Sequence, residues 1–194
     1  MQGRLKSSNC RFSTIDPHHL YHAPELVELA EIFPEGNFVA LDRGEPIGMG
    51  LGVLIDFDFD NPQHELINVA SNEHHEMGKP WYYGTDISVY PEYRGRGVGR
   101  QLYELRKTVV RDLNKAGIVA GGMLPGYAEH FGAMSADDYI DKVRSGELYD
   151  PTLTFQIENG FEAVCALADY IDDPSVGNNS VLIVWHNPDY DPAA

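Results

Sequence analysis

The sequence predicts a single domain of the mixed α/β class (α+β), in which helices flank a mostly antiparallel sheet that contains one parallel strand pair. Two observations support this prediction. The chain has 194 residues, of which 43% are apolar and 23% charged, which suffices for one buried core and is too apolar for a disordered chain. Hairpin patterns come first, and a strand, a glycine-rich turn, a strong helix and another strand follow, an order that favours a parallel pair.

The first part of the chain predicts short helices, a hairpin and a long loop. A capping residue followed by proline, and apolar residues at helical spacing, indicate one or two helices that end at Pro34–Gly36. Two β-rich runs follow, and Gly44 between them permits a tight turn. The polar stretch after them has no clear period, which is typical of a long loop. The predicted bounds are 2–16 for a weakly patterned first strand, 16–33 for the helices, 37–41 and 46–57 for the hairpin, and 66–70 for a strand within the loop.

The second part of the chain contains the clearest helix. Apolar residues from Val98 to Leu113 form one stripe, which includes Leu105, while Arg106 and the other basic residues lie off it. The preceding strand, 81–90, alternates strictly, so that Tyr83, Thr85 and Ile87 share one face. The remaining elements are a buried strand at 118–123, an inserted segment at 123–149 with a helix capped by Ser135, a helix that starts at Asp150-Pro151, and strands at 161–170 and 180–185.

Composition restricts the classes of partner. Fourteen basic and thirty acidic side chains give a formal charge of −16, which repels nucleic acid and anionic lipid and attracts cations. No apolar run reaches the roughly 18 residues of a membrane span, and the start of the chain lacks a secretion signal. We therefore expect a soluble, cytoplasmic protein without nucleic-acid or membrane partners, in which Cys10 and Cys165 are ordinary thiols.

One cluster of arginines stands out against this acidic background, in the turn that leads into the strong helix. Glycine lets a ligand approach the main chain, and amides at a helix N-terminus, with the helix dipole, form an anion site. Arginine adds forked donors that suit phosphate. The alternative is a flexible, solvated turn without a ligand. The residues of the turn are Arg94, Gly95, Arg96, Gly97, Val98, Gly99 and Arg100.

The pattern Arg94-x-x-Gly97-x-Gly99, which follows the segment Ile87–Tyr93, resembles the acetyl-CoA motif of the GNAT N-acetyltransferase superfamily. Phe155–Phe161 extends the similarity, since it resembles the late helix and the Gly-Phe pair of that family. The resemblance covers most of the chain, from about Asn37 to Trp185. It implies the GNAT fold for this chain, with a splayed parallel strand pair at the acyl-CoA site.

The resemblance also implies acetyl-CoA as the cofactor and assigns residues to it. The main chain of Ile87, Ser88 and Val89 would pair with pantetheine, and the amides from Arg94 to Arg100 would hold the pyrophosphate. The amide of Val89 would donate to the oxyanion. The gap between this strand and the strand of Ile118 would admit the cofactor.

The resemblance leaves the catalytic acid open. Gln156 stands where many family members have a tyrosine that protonates the leaving thiolate, and an amide cannot act as an acid. A tyrosine of the inserted segment, Tyr127, Tyr139 or Tyr149, is one substitute, and of these we select Tyr149. The alternative for each of them is a packing role. The insert and the 150–153 segment are also similar to acetyltransferase modules that precede a carbon–nitrogen hydrolase domain.

Two carboxylates are candidates for the base that receives the proton of the acceptor. Asp86 lies on the cofactor strand, on the opposite face from Ile87, and Glu76 lies in the loop before that strand. A histidine of the same loop, His74 or His75, would also have a suitable reference pKa for a base. The alternative for this loop is a solvated segment without a catalytic role. The spacing of the histidines does not specify a metal site, so we expect no metal.

The expected function is therefore acetyl-CoA-dependent N-acetyl transfer to the amine of a small, cationic acceptor. Two alternatives stay open. One is a CoA-binding or regulatory module without activity, which Gln156 favours, and the other is transfer of a different acyl group or to a different acceptor. The apolar strand Val181–Trp185 fits either a homodimer interface or a buried position in the core.

Overall fold

The computed structural model describes residues 21–69 and 71–193. These residues contain a six-stranded sheet of order β1-β2-β3-β4-β6-β5. The predicted strand at 2–16 lies outside the described residues. The parallel pair is β3 with β4, and the other neighbouring pairs are antiparallel, which confirms the predicted fold class. The strands are β1 (Phe38–Asp42), β2 (Glu45–Ile55), β3 (Trp81–Val89), β4 (Gly117–Gly122), β5 (Glu162–Leu167) and β6 (Ser180–His186).

Helices cover both faces of the sheet. One face carries a core beneath α3, α4 and α5, to which Tyr82, Ile118 and Val110 contribute. The opposite face carries a second core beneath α1 and α2, to which Leu29 and Tyr83 contribute. None of the helices within the described ranges has the length and apolar character needed to cross a bilayer. The helices are α1 (Ala23–Ile32), α2 (Leu66–Val69), α3 (Val98–Asp112), α4 (Ala136–Arg144) and α5 (Leu153–Glu158).

Local sequence signals account for several of these elements. The β1–β2 hairpin turns through Arg43 and Gly44, at φ of 51° and 88°, which are the left-handed values that a two-residue hairpin turn needs. Helix α4 begins as predicted, because Ser135 Oγ accepts from the amide of Asp138 at 3.1 Å. The predicted strand at 66–70 is wrong. Residues 66–69 form α2 instead, and the amide of Leu66 donates to the carbonyl of Tyr170, so this short apolar run joins no strand ladder.

The apolar stripe predicted for α3 is rotated relative to the buried face. Leu105 is 46% exposed, whereas Arg106 is 1% exposed. Tyr103 and Val110, together with Leu102, line the buried side of the helix. The prediction failed because it placed every basic residue off the buried stripe, and the contacts that keep Arg106 inside involve strands distant in the sequence.

Candidate functional site

The parallel strands β3 and β4 separate soon after they meet. Their pairing covers Trp81–Tyr83 against Gly117–Val119 and ends there. Strand β3 nevertheless continues to Val89, still paired with β2 on its other side. The β4-facing edge of β3 beyond Tyr83 therefore has no strand partner within the described part of the chain. We call the space between this edge and β4 the gap.

A β-bulge in β3 explains the separation. Leu51 of β2 pairs with Asp86, and the next residue, Gly52, pairs with Gly84, so Thr85 is an extra residue on β3. Bulges bend a strand and commonly lie next to active sites. The bulge also shifts the alternation of side chains, because Ile87 packs with the core on the α3 face and Tyr83 with the opposite core. The predicted shared face of Tyr83 and Ile87 was therefore wrong.

The buried side chain of Arg106 supports this bulge. Its guanidinium donates to the carbonyl of Leu51 at 2.6 Å and also to the carbonyl of Asp86. Gly50 and Gly84 leave room for it, since a Cβ at these positions would lie 3.5 and 3.0 Å from guanidinium nitrogens. Arg106 thus satisfies buried carbonyl groups of both strands at the irregular pairing and holds the bulge in place.

The glycine-rich turn lies at the end of β3 and opens α3 as predicted. Gly95 and Gly97 have φ of 72° and 82°, and the helix has no side-chain cap at Gly97. Within residues 21–69 and 71–193, no backbone or side-chain group accepts a hydrogen bond from the amides of Gly95 to Arg100. Their N–H groups lie at the N-terminus of α3, where the positive end of the helix dipole stabilises an anion.

Side chains around the turn connect it to β3 and α5. The Nε of Arg94 donates to the carbonyl of Val89 at 3.0 Å. Arg96 stacks on the ring of Tyr93 at 5.0 Å. A Cβ at Gly99 would lie 3.2 Å from Phe155 of α5, so this glycine allows the two helices to pack closely. The structure thus brings the predicted turn residues together with the end of the Ile87–Val89 segment.

Asp86 is half-buried at the bulge, and its carboxyl oxygen Oδ1 is buried. Its Oδ1 has no hydrogen-bond partner among the residues that the structure describes. Burial raises the pKa of this carboxyl group, while a hydrogen bond to Ser88 and the charge of Arg106 act in the opposite direction. A carboxylate with a raised pKa and an unused oxygen is suited to accept a proton.

A group of hydroxyls lies on the face opposite α3, beside the point where the strands separate. Tyr21 donates to Thr85 Oγ1 at 2.7 Å, and burial raises the pKa of Tyr21 to about 12. The hydroxyls of Tyr83 and Tyr170 lie 3.0 Å apart, and Tyr83 contacts His64 Nε2 at 2.6 Å. Sequence reasoning missed this group. The only signal was a histidine in a long polar loop, which has no fixed partner before the chain folds.

The structure places Gln156 within the α3 side of the gap. It is 4% exposed, and its Oε1 lies 2.5 Å from where a Cβ of Gly122 would be, with no hydrogen-bond partner in the described ranges. Burial raises the pKa of the neighbouring Tyr103, while the charge of Arg106 and the amide of Gln156 act in the opposite direction. Tyr103 is therefore a phenol near the position predicted for the acid, which sequence reasoning also missed.

The structure places Glu76 away from Asp86 and leaves the side chain of Tyr149 exposed. The amide of Glu76 donates to Leu54, which pairs with Tyr82, about 13 Å along β3 from Asp86. The Glu76 carboxylate lies 3.6 Å from Lys79 Nζ. Tyr149, the last residue of the insert, is 72% exposed.

The other two tyrosines of the insert are buried and have partners. Tyr127 donates to the carbonyl of Met134, and Tyr139 donates to Asp150. Asp150 is fully buried and also accepts from the amides of Thr152 and Leu153, so it anchors α5. The contacts of Tyr127 and Tyr139 match the packing alternative.

Sequence comparison relates the chain to known proteins. A family model described as "Acetyltransferase (GNAT) family" matches residues 6–120. The "Uncharacterized N-acetyltransferase YkwB" of Bacillus subtilis (strain 168) is 30% identical over 178 residues, which cover 90% of this chain and 79% of that protein. The "Probable hydrolase YhcX" of the same organism is 35% identical over 171 residues, or 86% of this chain. The chain spans only 33% of the length of YhcX.

Solved structures share the fold. The loading GNATL domain of CurA from Lyngbya majuscula has a TM-score of 0.76 at 21% identity, over 90% of this chain and 88% of that domain. The GphF GNAT-like decarboxylase in complex with isobutyryl-CoA has a TM-score of 0.72 at 18% identity, over 90% of each chain. At these identities the likeness concerns the fold alone.

Proposed function

Since this chain belongs to the acetyltransferase (GNAT) family, we propose that it transfers an acetyl group from acetyl-CoA to the amine of a small, cationic acceptor. One observation carries the proposal. The amides of Gly95 to Arg100 have no acceptor within the described residues, and they open a long helix next to the unpaired edge of β3. A diphosphate can accept hydrogen bonds from these amides. An extended ligand that carries amide groups can pair with the edge of β3.

The turn would hold the diphosphate of CoA. Glycines with positive φ let oxygens approach the main chain, and the dipole of α3 favours negative charge. Arg94, Arg96 and Arg100 would add positive charge to a molecule whose formal charge is −16. The same overall charge attracts a cationic acceptor.

The edge of β3 would hold pantetheine. The amide of Tyr90 donates to Ile47 of β2. Because backbone groups of a strand alternate in direction, the amides of Ile87 and Val89 face the gap. Arg94 donates to the carbonyl of Val89, so pairing of this carbonyl with pantetheine would replace that contact.

Bound acetyl-CoA supplies a thioester, whose carbonyl carbon accepts the attacking amine. The amide of Val89 would stabilise the charge that develops on the carbonyl oxygen. Asp86, with its unused Oδ1 and raised pKa, would attract the acceptor ammonium and serve as a base. Glu76 has no role in this proposal, because it lies away from Asp86. Tyr149 stays the proposed acid for the leaving thiolate.

Gln156 favours a second candidate, a CoA-binding module that does not catalyse transfer. The side chain at this position is a buried amide that cannot give up a proton to a thiolate. Release of free thiol from acetyl-CoA with any acceptor would exclude this candidate. A panel of acyl-CoA thioesters would decide whether a longer acyl group is preferred.

The experiment that tests the proposal combines calorimetry with a thiol-release assay. We expect the wild-type protein to bind CoA and the double variant Arg94→Gln/Arg96→Gln to bind it at least tenfold more weakly, because two cations leave the anion site. Arg111→Gln, near the other end of α3, is the control and should keep the wild-type affinity. Absence of CoA binding by folded wild-type protein would contradict the proposal.

A further inference from the structure

Three hydrogen-bonded side chains lead from the gap toward the surface, on the face opposite α3. Tyr170 packs against Gly121 of β4, where a Cβ would lie 2.1 Å from its ring. Its hydroxyl lies 3.0 Å from that of Tyr83, which lies 2.6 Å from His64 Nε2. Tyr83 is the last residue of β3 that pairs with β4. His64 is half-buried and lies between exposed neighbours in the loop after β2.

The hydrogen bonds that join Tyr170, Tyr83 and His64 have one consistent direction. His64 Nδ1 lies 2.6 Å from the carbonyl of Pro62, which can only accept, so Nδ1 carries the proton. In the neutral ring Nε2 is then an acceptor, and the hydroxyl of Tyr83 donates to it. Because Tyr83 has a single hydroxyl proton, it must accept from Tyr170. Each of the two hydroxyls therefore donates in the direction from the gap to His64.

Tyr170, at the inner end of this series of hydrogen bonds, lies on the same face of the sheet as the neighbour of the proposed base. Tyr21 donates to Thr85, the neighbour of Asp86 at the bulge. Tyr21 packs against the same core as Tyr83 and Tyr170, on the face of the sheet opposite α3. An amine held by Asp86 would thus lie on the same side of the sheet as the hydroxyl of Tyr170.

We propose that Tyr170, Tyr83 and His64 conduct a proton from the acceptor ammonium to solvent, a role that rests on the proposed function. An N–H bond of the ammonium breaks, its proton goes to the carboxylate of Asp86, the proposed base, and Asp86 passes it to the oxygen of Tyr170. The proton of Tyr170 passes to Tyr83, and the proton of Tyr83 passes to His64 Nε2. The imidazolium then loses one proton to bulk water. The nitrogen keeps its electron pair, which makes it a nucleophile.

The protonation states of the three groups agree with this role. Burial lowers the pKa of His64, so at neutral pH the ring is neutral and able to accept a proton. Burial raises the pKa of Tyr83 and Tyr170, so both hydroxyls keep their protons between transfers. The rings of Phe57, Tyr83 and Tyr170 face His64. The hydrogen bond to the carbonyl of Pro62 partly opposes the lowering of the His64 pKa.

This arrangement predicts a dependence on pH. Below the pKa of His64, which lies under its ordinary value of 6.5, the protonated ring cannot accept from Tyr83. We therefore expect kcat/KM to fall as the pH decreases through that pKa. His64→Gln should lose this acidic limb and have a low rate at all pH values, because an amide does not titrate.

The kinetic test uses acetyl-CoA with a panel of primary amines. Tyr83→Phe should lower kcat at least tenfold at pH 7 and leave the affinity for CoA unchanged. Tyr82→Phe is the matched control, because it removes a buried hydroxyl of the same strand that donates to Gly36 on the opposite face. The kcat of Tyr82→Phe should stay within about twofold of the wild-type value. The activity lost in His64→Ala should return when imidazole is added.

A structural readout keeps the proposal falsifiable without turnover. Nitrogen NMR of labelled histidine should show His64 as the Nδ1-protonated tautomer in wild-type protein. The Nε2-protonated tautomer would reverse the chain and overturn the proposal, and so would Tyr83→Phe with the wild-type rate and pH profile. Wild-type protein that releases no thiol with any amine would instead overturn the proposed function, before any variant is compared.

Discussion

Replacement of Arg106 by methionine is expected to lower the free energy of unfolding by about 4 kcal/mol, since it leaves two buried carbonyl groups unsatisfied at about 2 kcal/mol each. Arg106 donates to the carbonyls of Leu51 and Asp86, on both sides of the bulge. Methionine has a similar length but no donor. Because the bulge directs β3 away from β4, the variant should also bind CoA more weakly.

Arg111→Met is the control for this prediction. Arg111 lies on the same helix, its side chain is 37% exposed, and it lies 3.5 Å from Asp189 and over the ring of Trp185. Loss of these surface contacts should cost at most about 1 kcal/mol. Urea unfolding followed by circular dichroism measures both values. Equal losses of stability in the two variants would show that Arg106 does not hold the bulge.

Replacement of Gly97 by valine is expected to weaken CoA binding about 100-fold, which corresponds to about 2.7 kcal/mol. Gly97 has a φ of 82° and immediately precedes the first turn of α3. A β-branched residue is strained at this φ, and its side chain would enter the open space over the turn amides. The effect should appear in calorimetry as a loss of affinity.

Gly146→Val separates backbone strain from loss of the anion site. Gly146 follows α4, has a φ of 79°, and like Gly97 has no atom within 4 Å of an added Cβ. Both variants should lose about 1 to 3 kcal/mol of stability from strain alone. Only Gly97→Val should lose CoA affinity. An equal effect of the two substitutions on CoA binding would exclude a specific role for the turn.

Features set by neighbours in the sequence were predictable. The hairpin at Gly44, the cap at Ser135 and the turn from Gly95 to Gly97 depend on residues within a few positions of each other, and each residue type has a conformational reason to be there. The order of strand, turn, helix and strand was enough to predict the parallel pair. These local signals therefore establish the fold class and locate the turn.

Features set by distant contacts were not predictable. Thr85 becomes an extra residue only because β2 pairs with β3 in this register. Arg106 is buried only because carbonyls of two strands meet it, and His64 finds Tyr83 only after a long loop folds over the sheet. Helical periodicity places a basic residue in solvent unless such partners are known. The chemistry of the gap therefore required the structure.

Titration of CoA into uniformly nitrogen-labelled protein, followed by amide NMR, tests the central claim most directly. The diphosphate should shift the amide signals of Gly95 to Arg100 more than any others, and pantetheine should shift those of Ile87 and Val89. Saturable shifts confined to these positions are the predicted result. Absence of binding, or binding that leaves the signals of Gly95 to Arg100 unchanged, would contradict the account.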